Sequence, residues 1–221
     1  MLFRMTPSRR ELVQGKGYPV DAPLRIVDRP SAVGFDFTSR MRTLCQDIVA
    51  RAPAMAHIQL PRVLIAFSQA RKGVQHGLQA SLTPLRFAGG SLTTRRRNST
   101  YTLQRIYDPN GREYLYILTF YLPRFLNNSL KEKLTTVFHE LWHIGPSCDG
   151  DLRRHGGRCY AHSSSQKEYD AHMWQLAQDW LRRAPPSPLY DFLELPFEEL
   201  QSRYGRIFGL KVPRPKLIPV N

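Results

Sequence analysis

Between Ser129 and Pro146 the chain carries a start and a stop for one helix, and the rest of the fold has to be arranged around it. Ser129-Leu130-Lys131-Glu132 has the Ser-x-x-Glu form of a capping box, in which the serine hydroxyl and the glutamate carboxylate satisfy backbone N–H groups at the helix start. Leu130, Leu134, Val137, Phe138, Leu141 and Trp142 then recur at the three-and-four spacing of one buried helical face. Gly145-Pro146 ends the run, because proline cannot continue the backbone hydrogen bonding. The last two turns hold His139, Glu140 and His143.

The same spacing from Thr38 to Ala52 (Met41, Leu44, Cys45, Ile48, Val49) predicts a packing helix. A third helix is predicted through Tyr169, Met173, Leu176, Ala177, Trp180 and Leu181, with Ser163, Ser164 and Ser165 as available N-caps and Pro185, Pro186 and Pro188 as its end. Pro196 to Tyr204 reads as a short helix, and Val212 to Lys216 as an extended basic tail. The apolar run from Arg62 to Ser68 predicts a buried strand, and Leu85-Arg86-Phe87 alternates like a second. Thr100 to Tyr107 and Glu113 to Tyr121, joined by Asp108-Pro109-Asn110-Gly111, predict a β-hairpin. The glycine- and arginine-rich segment from Asp149 to His162 reads as a loop over the histidines.

Two imidazoles four residues apart stand one turn above each other and can face a single cation, the spacing a zinc ion needs. Glu140 is rotated by about 100° from His139, so it can address a water activated by the metal without being a ligand, which makes it the candidate general base. An open catalytic zinc site takes three protein ligands. The segment after His143 offers His155, His162, Glu168 and Asp170 as the third. His155 sits among Arg153, Arg154 and Arg158, and cations near a dication are unfavourable. His162 adjoins the start of the third helix and is preferred; Glu168, one turn inside that helix, is the alternative. Asp170 is better placed to hold a ligating imidazole, or is a surface carboxylate. Tyr160, Tyr169 and an arginine of 153–158 are candidates for stabilising an oxyanion, with core or surface roles preferred for each.

The formal charge is +14, with 32 Lys plus Arg against 18 Asp plus Glu, which implies attraction to polyanions and makes nucleic acid a candidate partner through the basic surface. Three cysteines argue against a disulfide framework, and no run is apolar enough to be a membrane span or a signal peptide, so a cytoplasmic chain is expected.

His139-Glu140-Leu141-Trp142-His143 resembles the signature of the zincin metallopeptidase superfamily. The longer run through Asp149-Gly150-Asp151-Leu152-Arg153-Arg154, Gly157-Arg158, Tyr160-Ala161-His162-Ser163 and Tyr169-Asp170 is similar to metallopeptidases of phages and prophages. That resemblance implies an α+β zincin-like fold, a Zn2+ cofactor and a protein or peptide substrate, and it favours His162 over His155. Pro146 and Asp149 stand where metzincins have glycine and histidine, which removes that subclass. Zincins often lay the substrate along a sheet edge, a role open to the strand Glu113 to Tyr121 or its hairpin partner.

The expected architecture is α+β: a small mixed sheet with a β-hairpin packed on the histidine-bearing helix, and further helices. The domain spans 36–184, with a basic extension over 1–35 and a Pro-rich basic one over 185–221. Two other readings stay open. One is a nucleic-acid-binding protein whose structural zinc is closed by Cys148 or Cys159; the other is a zincin scaffold without activity.

Overall fold

The computed structural model describes residues 8–13, 23–30, 33–70, 77–154 and 166–220. In chain order they form β1 (Ser8–Val13), β2 (Leu24–Pro30), β3 (Phe35–Asp36), α1 (Phe37–Arg51), β4 (Val63–Gln69), β5 (Ala80–Pro84), β6 (Thr93–Arg96), β7 (Ser99–Leu103), β8 (Ile106–Tyr107), β9 (Tyr116–Leu122), α2 (Leu130–Trp142), α3 (Gln166–Arg182), α4 (Phe197–Tyr204), β10 (Ile207–Phe208) and β11 (Leu217–Val220). The chain is α+β, with four small sheets and four α-helices among the described residues.

The helices form where local sequence specifies them. Asp36 caps α1 by accepting from the Ser39 amide at 3.0 Å and the Ser39 hydroxyl at 2.8 Å, and Met41, Leu44, Cys45 and Ile48 are buried below it. Ser129 and Glu132 make both bonds of the capping box on α2. The caps expected for α3 at Ser163 to Ser165 lie outside the described residues. Along α3, Tyr169, Met173, Ala177 and Trp180 are buried, and the Trp180 indole donates to Asp47 of α1 at 2.9 Å.

The sheet that positions the histidine helix has the order β4-β9-β5, with β4 parallel and β5 antiparallel to β9. Its two faces explain the strand sequences. Val63 and Ile65 join the core beneath the helices, whereas Leu64 and Ala66 join a second cluster with Leu24, Ile26, Ile106, Tyr114 and Leu210. Covered on both faces, the sheet needs apolar side chains at successive positions, which is why β9 reads Tyr-Ile-Leu-Thr-Phe-Tyr-Leu without strict alternation.

Three expectations change. The long hairpin is not formed, because β7 pairs with β6 and β11 while β9 pairs with β4 and β5. Its tip survives: Asp108 Oδ1 accepts from the Asn110 and Arg112 amides, and the Tyr114 amide donates to the Ile106 carbonyl. The strand expected at Leu85 to Phe87 is shifted to Ala80–Pro84, and Leu85-Arg86 bends away after Pro84. Finally, β9 is the central strand, so the exposed edge of this sheet nearest α2 is β5.

Beyond α4 the chain returns to the body. β10 pairs parallel with β3, the Leu210 amide donates to the Thr38 hydroxyl at 3.0 Å, and β11 pairs antiparallel with β7. No helix among the described residues is long and apolar enough to cross a membrane.

Candidate metal centre and active-site cleft

The helix end that carries the histidines is held in place by the loop after it. His143 is the C-cap of α2, and its carbonyl accepts from the Arg153 amide at 2.7 Å. Ile144 and Leu152 form a bridge beside it. Gly150, with φ of +97°, admits Arg86 so closely that a β-carbon there would lie 2.4 Å from Arg86 Cγ. The Gly150 amide donates to the Tyr116 hydroxyl, which in turn donates to the Asp151 carbonyl, both at 2.9 Å. The loop after the second histidine is thereby tied to the central strand. Arg153 completes the clamp, donating from Nε to the Trp142 carbonyl at 2.8 Å with its guanidinium 4.1 Å from the Trp142 ring.

Packing of α3 against α2 brings further groups to this end. His139 and His143 are half-buried, with ring centroids 4.7 Å apart at 75°. Tyr169 meets both: its ring lies 4.8 Å from that of His139, edge-on, and 6.4 Å from that of His143, nearly parallel. Asp170 Oδ1 stands 3.8 Å from His139 Nδ1, an electrostatic contact longer than a hydrogen bond. Glu140 is buried under the edge strand, where the Leu82 backbone amide hydrogen-bonds its carboxylate. Burial disfavours the charged form and pushes the Glu140 carboxyl up to about 7, against the opposite pull of that amide. Burial, with Glu140 nearby, also raises the Tyr169 phenol, which stays protonated at neutral pH.

A cleft of about 810 Å³ opens beside His139, Glu140 and Asp170. β5 and the residues before it form one wall with Leu78, Gln79 and Ala80, and α2 and α3 form the other with Thr135, Ala171, Trp174 and Gln178; His139, Glu140 and Asp170 line it as well. Gln79 and Leu85 make their backbone bonds to β9 or the residue preceding it, so the backbone groups of Ala80 and Leu82 between them point away from β9, on the cleft side.

Of the residues proposed from sequence, His139, Glu140, His143, Tyr169 and Asp170 are therefore brought together. Glu168 is exposed and does not line the cleft. His155, Tyr160, His162 and Cys159 lie outside the described residues. Asp151 accepts from the Gly89 amide and from Arg154. Cys148 is buried and accepts from the Gln59 amide at 3.3 Å. Among the described residues no three His, Cys, Asp or Glu side chains form a metal-sized group.

Comparison with protein-family models, with curated proteins and with solved structures finds no match. The site therefore has to be read from its own chemistry. Two half-buried imidazoles one helical turn apart fit a cation that takes neutral nitrogen donors, and Asp170 faces Nδ1 of His139.

Two contributors escaped sequence reasoning. Leu82 acts through a backbone amide, which leaves no residue-type signature. Trp174 has helical spacing like any packing residue, and only the fold places it on the cleft wall.

Proposed function

We propose that the chain is a zinc-dependent peptidase of zincin type, with His139 and His143 holding the metal, His162 as third ligand and Glu140 as general base. The observation that carries this reading is the buried Glu140 carboxyl, held under an open strand edge beside two paired imidazoles. Zinc bound there would polarise a peptide carbonyl and make an adjacent water acidic enough to be deprotonated near neutral pH.

The protein's own groups supply the rest. Glu140 takes a proton as the water oxygen bonds to the carbonyl carbon, and returns it to the amine nitrogen as the C–N bond breaks. A carboxyl pushed towards neutral pH by burial suits both transfers. Tyr169 remains a phenol whose ring packs against both imidazoles and holds them in place. Asp170 orients the His139 ring from its Nδ1 side. The outward-facing backbone groups of Ala80 and the Leu82 carbonyl offer a peptide in extended form an edge to pair with, and the cleft receives its side chains.

The test is Glu140→Gln, which keeps size and removes proton transfer. Zinc content should be unchanged, while cleavage of an unstructured protein substrate should fall by about 10²–10⁴-fold. Full turnover in the zinc-loaded variant would exclude Glu140 as the base and with it the peptidase mechanism.

A further inference from the structure

The strongest charge feature lies outside the cleft. β6 and β7 form an antiparallel hairpin, with Arg96 paired to Ser99 and only Arg97-Asn98 between the strands; β11 adds to the other side of β7. Arg97 takes a left-handed φ of +53°, which closes the turn and sets this arginine at the apex. Arg95, Arg96 and Arg97 are all exposed, and none is in a salt bridge among the described residues.

The surrounding sequence lacks compensating charge. No Asp or Glu occurs from 91 to 107 or from 200 to 221, the two stretches that build this sheet. At its base, Gln104 donates its backbone N–H to the Lys216 carbonyl, placing exposed Lys216 beside the end of β7, with exposed Arg214 two residues earlier. Cations thus stand at both ends of a strand of five residues, about 15 Å apart at the usual rise. Between them the strands carry further hydroxyls at Thr93, Thr94, Ser99 and Thr100. Hydroxyls and guanidinium groups are the usual donors to phosphate oxygens.

We infer that the ribbon β6-β7-β11 docks on double-stranded DNA, with Arg95, Arg96 and Arg97 entering a groove tip-first. Geometry favours a groove over a single strand. Successive strand residues face opposite sides, so Arg95 and Arg96 diverge while Arg97 leads, matching phosphates on two walls. Because β11 pairs only Thr100 to Leu103 of β7, the tip from Arg96 to Ser99 is two-stranded and fits the B-form major groove, about 12 Å wide, whereas the A-form groove of duplex RNA is too narrow. Single-strand binding relies on exposed aromatic platforms, and the one aromatic residue of the ribbon strands, Tyr101, is half-buried between its neighbours. This inference is independent of the chemistry in the cleft.

The experiment measures affinity of the full chain for a 20-base-pair duplex by fluorescence anisotropy across a salt series, for wild type and R95A/R96A/R97A. Each lost phosphate contact should flatten the log–log salt dependence by about 0.9, so the triple variant should lose about 2–3 from the slope and at least tenfold in affinity at low salt. R182A/R183A, which removes charge from the end of α3, should leave the slope unchanged, and thermal melting should show the ribbon variant folded. An unchanged slope in a folded triple variant would overturn the inference, as would absence of duplex binding or preference for a single strand of the same length. Exposed Leu92, Leu217 and Val220 also lie on or beside this sheet. A dimer seen by sedimentation in wild type and lost in R95A/R96A/R97A would assign the face to a second copy of the chain instead, and likewise overturn it.

Discussion

The cleft at the end of α2 and the arginine ribbon treat charge in opposite ways. In the cleft, ionisable groups are withdrawn from water: Glu140 is 8% exposed and sits under a strand edge, and burial sets its proton affinity. On the ribbon, Arg95, Arg96 and Arg97 stand in solvent with no carboxylate in the adjoining sequence. Burial makes a group's protonation adjustable and suits it to chemistry, whereas exposure leaves a fixed charge that acts at range and is screened by salt. The net charge of +14 therefore bears on the ribbon and says little about the cleft.

Crossed substitutions break or sharpen that contrast. Glu140→Gln should remove about 10²–10⁴-fold of peptide turnover and leave the salt dependence of DNA affinity untouched. R95A/R96A/R97A should do the reverse, with turnover on a short peptide unchanged. If either variant moved both properties, the two regions would not be separate. A smaller effect, still confined to the cleft, is expected for Asp170→Ala: zinc affinity about 10–100-fold weaker by competition with a chelator, with the melting temperature of the metal-free protein little altered.

Lys133 shows burial acting on a cation. The residue is 1% exposed, and its ammonium donates to the carbonyls of Leu193 at 2.7 Å and Leu195 at 3.1 Å. Burial lowers it from 10.5 to about 8. Between those values the unfolded chain holds a proton that the native chain releases, so this group makes stability rise with pH above about 8. The buried Tyr116 and Tyr169 phenols, raised by burial, oppose that rise once unfolded tyrosine ionises near 10. Burial also raises the Cys45 and Cys148 thiols, which lowers stability with rising pH equally in both proteins, so denaturant titrations between pH 8 and 10 should show a more positive slope in wild type than in Lys133→Met. The smallest effect is expected at the helix start, where Ser129→Ala should cost about 1 kcal/mol, read as a lower denaturation midpoint with the folded site intact.

The parts legible in the sequence are those specified within one element. Ser129, Glu132 and the stripe from Leu130 to Trp142 lie on one helix, so its start, its buried face and the pairing of His139 with His143 followed from spacing. The hairpin turn at Asp108 to Gly111 was legible for the same reason. The strands beyond it were not, because β7 and β9 take their partners from β6 and β11 and from β4 and β5, and sequence spacing cannot rank such pairings. The cleft divides likewise. Glu140 is on the motif helix, but Tyr169 and Asp170 reach the histidines only through packing of α3 on α2, and the Leu82 amide only because β5 is the edge strand.

Everything in the cleft rests on His139 and His143 sharing one metal. The direct measurement is the zinc content of the chain purified after zinc-replete expression, beside folded His143→Ala. About one zinc per chain, lost in the variant, is the expected result. No zinc in the wild-type chain, or equal zinc in both, would contradict it.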